Sequence, residues 1–391
     1  MKKNYVLISM RMTVVIFFFI SIFYTIISIY KNKSQFTETF NSKTYKNKFD
    51  QSQWIVTNKN KKTISDTDLY THMAYEYMTG VDPTTQNFEV PPLGKYLIGG
   101  SILHYNNQRV FSLIFGLGSL IMIYYFCYMT TKSFLLSLLG PALTGTSWFF
   151  LDQIKNSPQL EIYQLAFLLI FFIFFSRYAS KSRLRYLIIS AISLGAFLSI
   201  KVFFIYYALI IFFFLIYYFL TRTRNHKIIF DLSILHIGIF GVYLLYYINF
   251  FLKGGDWIRF LSVQKWIIGF YSIHSNIQSW KLLGSYLPLI YQNQWHFWSQ
   301  GYPVIFFDNW SILWPLFHLG GITTVLYYLR TKKYVKNIYI AIILSFTVAY
   351  SIFLLFVPIW PRYFLLLYIP IFILITFLVY DFSGKLFLSK K

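Results

Sequence analysis

The chain has 391 residues, of which 57% are hydrophobic and 12% charged, and it contains apolar runs such as 14–29 and 165–175. A soluble domain cannot bury this much apolar surface, so the composition excludes that class and predicts an all-α polytopic membrane protein. The net charge of +22 comes from short basic clusters between apolar runs. That distribution indicates membrane topology and excludes a nucleic-acid partner.

The first predicted element is a membrane helix within residues 6–30. It follows Met1-Lys2-Lys3, as a signal peptide would, but it is long enough to span and has no small-residue cleavage site. We therefore expect it to remain in the protein. The single cysteine, Cys127, lies in a later apolar run, so no disulfide framework or thiolate metal site is expected.

Ten spans are predicted from the apolar runs, at 9–30, 109–130, 134–150, 159–177, 184–199, 202–220, 228–251, 312–329, 337–358 and 362–380. If the N-terminus is cytoplasmic, every short basic cluster falls on the cytoplasmic side, as the positive-inside rule requires. Of the 13 acidic residues, only Asp231 and Asp381 then lie on that side. The sequence therefore predicts an integral protein of the cell membrane with both termini cytoplasmic.

Two long segments, 31–108 and 252–311, are predicted to face outward as parts of a single domain that covers residues 1–391. Neither has the Gly, Ser and Pro content of a linker. Both contain apolar stretches that are too short to span, at 96–103 and 266–271. Such stretches favour interfacial helices that lie along the membrane surface.

The most informative part of the first outer segment is a predicted helix that begins after Ser65. Ser65 is a plausible N-cap, and Asp66 and Asp68 then lie in the first turn, where the helix dipole favours an ionised carboxylate. Acids in a first turn are also ordinary capping chemistry. However, five of the 13 acids fall within residues 66–89 of this one outer segment, which favours a function for them.

This segment resembles the protein O-mannosyltransferase family, within the GT-C superfamily of glycosyltransferases. The resemblance consists of Asp66 at the head of an outer helix, Ala74, Gly80, and then Pro91-Pro92-Leu93-Gly94-Lys95 before an apolar stretch. More weakly, it extends through most of the chain, at Arg109, Glu161, Lys201, His274, Trp295, Trp298 and Arg362. Departures from the family pattern stand at Thr67, Val90 and Tyr302.

The resemblance implies a GT-C-type bundle of about ten transmembrane helices and an inverting transfer on the non-cytoplasmic face. The sugar, expected to be mannose, passes from a polyprenyl phosphate to a Ser or Thr hydroxyl of an exported protein. Asp66 is the expected base, with Asp68 beside it. The expected phosphate contacts are Arg109, Arg362, Lys95 and Lys201, and the expected sugar or acceptor contacts are Glu161, His274, Trp295 and Trp298.

Several alternatives stay open from the sequence. A lipid or a cell-surface glycan could replace the protein acceptor, and a flippase for lipid-linked precursors would also need many spans and cationic sites. Lys and Arg at span ends often only reach toward the interface, and Trp often forms an interfacial belt. No cofactor is predicted with certainty, and a divalent metal at Asp66 and Asp68 remains an alternative.

Overall fold

The computed structural model describes residues 2–55, 62–271, 283–296 and 303–388. In these ranges the protein is helical, apart from a small hairpin in which Gln294–Trp295 (β1) pairs antiparallel with Ile305–Phe306 (β2). The helices up to the middle of the chain are α1 Lys2–Lys31, α2 Lys33–Thr37, α3 Ser42–Asp50, α4 Asp66–Met78, α5 Leu93–Tyr105, α6 Val110–Thr131, α7 Phe134–Ser137, α8 Leu139–Thr146, α9 Trp148–Lys155 and α10 Glu161–Lys181.

The second half continues with α11 Leu184–Leu198, α12 Phe203–Thr221, α13 Asn225–Leu245, α14 Ile248–Leu252, α15 Trp257–Gly269, α16 Tyr286–Gln292, α17 Leu313–Thr331, α18 Ile338–Phe356 and α19 Leu365–Leu388. Two 3₁₀ turns, Lys333–Val335 and Pro361–Phe364, precede α18 and α19. The second of these turns carries a residue of the candidate site.

Seven helices within the described residues are long and apolar enough to cross a membrane, or eight if one bent pair counts as a span. This agrees with an all-α polytopic membrane protein. All ten predicted spans coincide with helices, but α11 has only 15 residues and α17 is not among the seven. The total of ten spans therefore stays a prediction.

The bent pair lies where a single span over 134–150 was predicted. The helical direction changes by 56° between Phe134–Thr146 and Trp148–Lys155. Ser147 sits at the break and caps α9, because its hydroxyl accepts a hydrogen bond from the Phe150 backbone N–H at 3.4 Å. After the bend, α9 packs against the 3₁₀ turn Pro361–Phe364.

The centre of the bundle is α10, which packs against α6, α11 and α18, while α19 packs against α8, α17 and α18. Aromatic side chains fill the spaces between them. The rings of Phe172 and Phe346 are 5.1 Å apart, and Phe149 stacks on Tyr368 at 4.4 Å. Edge-to-face and offset-stacked contacts of this kind favour close packing of large side chains, so part of the high Phe and Tyr content serves the core.

A smaller layer, made of α3, α4 and α5, carries the start of the candidate site. Phe49, Leu69, Met73 and Tyr77 form its own apolar core. Gly99 allows α5 to lie close to α4, because a Cβ there would be 2.8 Å from the Ala74 carbonyl oxygen. This packing fixes the direction of α4, whose first residue is Asp66.

Candidate functional site

The start of α4 follows the sequence prediction. Ser65 is the N-cap, and its hydroxyl accepts a hydrogen bond from the Asp68 backbone N–H at 3.1 Å. Asp66 is therefore the first helical residue, and its carboxylate lies at the positive end of the helix dipole. Asp66 and Asp68 nevertheless point to different partners.

Asp66 begins a chain of ionic contacts that joins four distant parts of the sequence. Its Oδ2 lies 2.5 Å from Arg362 Nη2, and Arg362 Nε lies 3.0 Å from Glu161 Oε1. Lys201 forms an ion pair with the same Glu161 oxygen. We call Asp66, Arg362, Glu161 and Lys201 the ionic chain.

Each member of the ionic chain stands at or next to the end of a helix. Glu161 is the first residue of α10, Lys201 lies between α11 and α12, and Arg362 lies in the 3₁₀ turn before α19. The Glu161 side chain is 1% exposed, whereas that of Asp66 is 44% exposed. The ionic chain therefore extends from the buried Glu161 to the Asp66 carboxylate, which solvent or a substrate can reach.

The burial of Glu161 explains why two cations, Arg362 and Lys201, lie beside its carboxylate. An isolated carboxylate in so dry a place would lose several kcal/mol of hydration, and only close opposite charges compensate this loss. Aromatic rings complete the surroundings, because Lys201 Nζ lies 4.0 Å from the centre of the Tyr363 ring and the Arg362 guanidinium 5.2 Å from that of Trp360. Both cations are therefore held in place on more than one side.

Tyr70, one turn along α4 from Asp66, is a neighbour that the sequence prediction missed. Burial, together with the nearby Asp66 carboxylate, raises the pKa of Tyr70 well above its usual value, although Arg362 acts in the opposite direction. The phenol consequently keeps its proton and can serve as a donor. Its position at i+4 from Asp66 is the signal that could have identified it.

Lys95, a predicted phosphate contact, is fully buried in the structure. Its ammonium group donates to the Asn87 carbonyl, to the Val90 carbonyl at 3.0 Å and to the Tyr77 hydroxyl at 3.3 Å. Burial lowers the pKa of Lys95 to about 7, despite the opposing effect of Glu89. Lys95 thus connects the loop before α5, at Asn87 and Val90, with Tyr77 of α4.

Asp68 and Arg109 lie beside α3 and do not join the ionic chain. Asp68 Oδ1 is 2.9 Å from Lys48 Nζ. Arg109 precedes α6, and both it and Asp68 act electrostatically on Tyr45, whose pKa is raised mainly by burial. Arg109 Nε is buried without an acceptor among the described residues. The predicted pair of neighbouring catalytic acids is therefore divided between two clusters.

Trp295 is the one predicted aromatic contact that the structure describes. It lies in β1, its indole N–H donates to the Ile359 carbonyl at 2.7 Å, and its ring is 5.1 Å from that of Trp360. Because Trp360 also contacts Arg362, Trp295 stands close to the ionic chain. The other two, His274 and Trp298, lie outside the described residues.

A second group that the sequence prediction missed lies at the end of α9. Asp152 accepts hydrogen bonds from Asn156 and Gln159, at 2.6 and 3.2 Å. Asp152 directly follows the apolar segment Trp148-Phe149-Phe150-Leu151. An acidic residue in such surroundings is costly and often functional, so its position was the signal from which the sequence could have identified it.

The possible metal ligands Asp66 and Asp68 pair with Arg362 and Lys48 instead of with each other. Within the described ranges, no three His, Cys, Asp or Glu side chains are grouped as ligands of a metal ion.

The fold is thus that of an all-α protein with membrane-spanning helices, and its most distinctive site is the ionic chain. No protein-family model, curated protein or solved structure matches this chain. The function proposed below is therefore based on the geometry of the ionic chain.

Proposed function

We propose that this protein is an inverting glycosyltransferase that moves a sugar, expected to be mannose, from a polyprenyl phosphate to a hydroxyl acceptor, expected to be Ser or Thr of an exported protein. The observation that carries the proposal is the ionic chain. In it, Arg362 pairs with the accessible carboxylate of Asp66 and with the buried carboxylate of Glu161, which also pairs with Lys201. Such a group combines a proton acceptor with fixed cations, which are the two components this transfer needs.

The chemistry assigns a role to each member of the ionic chain. The acceptor oxygen attacks the anomeric carbon, the bond from that carbon to the phosphate oxygen breaks, and the acceptor proton passes to Asp66. The bond electrons leave with the polyprenyl phosphate. Arg362, with its planar set of donors, would bind the phosphate oxygens, and Lys201 with Glu161 would keep the guanidinium in position.

The charges of the ionic chain also suit the reaction. Its two acids and two cations sum to zero. During transfer the phosphate changes from a diester with one negative charge to a monoester that approaches two. At the same time the proton neutralises Asp66. Arg362 therefore loses the charge of Asp66 while the phosphate that it binds becomes more negative. The total charge of the site stays constant, and this limits the electrostatic cost.

The proposal extends to a GT-C-type bundle of about ten spans, with cytoplasmic termini and the ionic chain on the outer side. Amphipathic α15 supports it, because Trp257, Ile258, Leu261 and Trp266 of this helix are exposed. Such a face suits the boundary between headgroups and acyl chains, where α15 would lie along the surface.

The test is transfer of radiolabelled mannose from polyprenyl-phosphate mannose to a Ser/Thr-rich peptide by the purified full chain. We expect Asp66→Asn to lower the rate by about 100-fold or more, because the amide cannot take the proton. Asp50→Asn is a matched control, since Asp50 is an exposed acid of α3 that pairs only with Lys46 among the described residues. It should retain wild-type transfer.

Two outcomes would contradict the proposal. Wild-type rates in a folded Asp66→Asn protein would remove Asp66 from the mechanism. Absence of transfer by the wild type to peptide, lipid and glycan acceptors alike, with either mannose or glucose on the donor, would argue against the whole assignment. Folding is checked by size-exclusion chromatography and by the thermal unfolding midpoint, Tm.

A further inference from the structure

A group of polar side chains, which we call the amide cluster, lies where α9 leads into α10, and four of its five members are joined by hydrogen bonds. It consists of Asp152, Gln153, Asn156, Ser157 and Gln159. Gln153 donates to the Gln159 amide oxygen at 2.8 Å, and Gln159 donates to Asp152 Oδ2 at 3.2 Å. Asn156 donates to the other Asp152 oxygen at 2.6 Å. The carboxylate is therefore oriented by two amide groups, those of Asn156 and Gln159.

Two buried polar atoms of this cluster have no hydrogen-bond partner among the described residues. Gln153 is 0% and Ser157 1% exposed, yet the Gln153 amide oxygen and the Ser157 hydroxyl make no hydrogen bond within the described part of the chain. Buried groups of this kind normally have partners, because leaving them unpaired costs free energy. Two such atoms in one oriented cluster indicate a place where a ligand supplies the missing hydrogen bonds.

The amide cluster adjoins the ionic chain. Helix α9, which carries Asp152 and Gln153, packs against the 3₁₀ turn that contains Arg362. Glu161, which pairs with Arg362 in the ionic chain, follows the cluster by two residues, and both Glu161 and Arg362 act electrostatically on Asp152. A ligand group bound at Arg362 would therefore lie beside the helix that carries Asp152 and Gln153.

The chemistry of the cluster selects one kind of ligand group. A carboxylate would repel phosphate, so the amide cluster is unsuited to the anionic part of a lipid donor. Carboxylate and amide oxygens accept hydrogen bonds from neutral hydroxyls, while amide and Ser donors can return them. Several donors and acceptors at fixed positions match a molecule with hydroxyls on adjacent carbons.

We propose that the amide cluster binds the hydroxyl groups of the sugar carried by the lipid donor, while Arg362 binds the adjoining phosphate. This inference rests on the proposed function and adds the part of the site that distinguishes a glycosylated lipid phosphate from a bare one. Gln153, Ser157 and Asp152 are its sugar contacts.

The test is equilibrium binding of three probes to the full chain in lipid nanodiscs: polyprenyl-phosphate mannose, polyprenyl-phosphate glucose and unglycosylated polyprenyl phosphate. Gln153→Met keeps the volume of the side chain but removes its polar atoms. We expect it to weaken binding of at least one of the two glycosylated lipids by about tenfold and that of the bare phosphate by less than about twofold. Ser157→Ala, a smaller change, should act in the same direction.

Gln264→Met is the matched control. Gln264 is also buried, and its amide oxygen accepts a hydrogen bond from the Tyr243 hydroxyl at 2.8 Å, but it lies in α15. It should leave all three affinities unchanged.

Equal effects of Gln153→Met on all three lipids, or no effect on any, would overturn the inference if Ser157→Ala behaves in the same way. Failure of the wild type to bind any of the three lipids would instead overturn the proposed function on which the inference rests. The two failures are therefore distinguishable. If Gln153→Met does not fold, Ser157→Ala and Asp152→Asn decide by the same comparison.

Discussion

Glu161 and Lys201 show how strongly one buried charge depends on another. Their side chains are 1% and 6% exposed, and the nearby Arg362 is the other cation at Glu161. Removing one partner of such a pair leaves an uncompensated charge in a dry environment, and this costs more than the pair contributes. Lys48 and Asp68 form a pair that water reaches, so the loss of one partner leaves the other hydrated.

Lys201→Met should therefore destabilise the protein by about 3–5 kcal/mol, because Glu161 loses a cation that it cannot replace with water. The double variant Lys201→Met, Glu161→Gln should recover a large part of this loss. The measurement is Tm in detergent, with the free energy of unfolding from denaturant titration. Lys48→Met is the control and should change the free energy of unfolding by less than about 1 kcal/mol. Equal effects of Lys201→Met and Lys48→Met would contradict this account.

The depressed pKa of Lys95 predicts a dependence of stability on pH. In the unfolded chain Lys95 has its ordinary pKa of 10.5, whereas in the folded chain burial lowers it to about 7. Between these values only the unfolded state holds the proton, so raising the pH favours the folded state. We expect Tm to rise between pH 7 and pH 9.5 and this rise to shrink in Lys95→Met.

Lys48→Met should keep the rise of the wild type, because Lys48 is exposed. An identical slope in Lys95→Met and in the wild type would show that the pH dependence comes from other groups.

At the residue scale, sequence reasoning located single residues better than their partners. Ser65 as N-cap and Asp66 in the first turn followed from local rules, because capping depends on neighbours within three positions. The pairing of Asp66 with Arg362 joins residues 296 positions apart, and no local pattern specifies it. In the amide cluster, Asp152 stands out in the sequence as an acid beside an apolar segment, but its hydrogen bonds to Asn156 and Gln159 do not follow from any charge pattern.

At the scale of helices, the closest contact near the site is between α4 and α5. A Cβ at Gly99 would lie 2.3 Å from Met78 Cγ and 2.8 Å from the Ala74 carbonyl oxygen. The Met78 side chain can move aside, but the backbone of α4 cannot do so without moving Asp66. The position of Asp66 thus depends on the absence of a side chain on the neighbouring helix.

Gly99→Ala should consequently destabilise the protein by about 1–3 kcal/mol and lower transfer, because the two helices are forced apart. Gly118→Ala is the control: Gly118 lies inside α6, and a Cβ there would meet nothing within 4 Å. It should leave Tm unchanged or slightly raised, since Ala favours a helix. A Tm for Gly99→Ala that matches Gly118→Ala would contradict the close packing.

Helix positions were predictable because hydrophobic runs of sufficient length have few alternatives in a bilayer. Breaks inside such runs were not. The 56° bend near Ser147 interrupts a stretch that hydropathy alone presents as one span, and the local signal was a single capping serine. The bend also sets the direction of α9, which packs against the 3₁₀ turn that contains Arg362.

At the scale of the whole molecule, the distribution of basic residues predicts which ends of the helices face the cytoplasm. Cys127 is buried, so it gives little background in labelling experiments. We expect Lys46→Cys in whole cells to react with a membrane-impermeant maleimide and Arg183→Cys to react only after permeabilisation. Both positions are exposed in the structure. Reaction of Arg183→Cys in intact cells would reverse the proposed orientation.

The distance along the chain between Asp66 and Arg362 has a consequence for biosynthesis. At about 5–20 residues per second, a ribosome needs roughly 15–60 s to travel from one codon to the other. Throughout that interval Asp66 has already been made, while the arginine that neutralises it has not. The ionic chain can therefore form, and the proposed activity begin, only after the turn that carries Arg362 has been made and has packed onto the bundle.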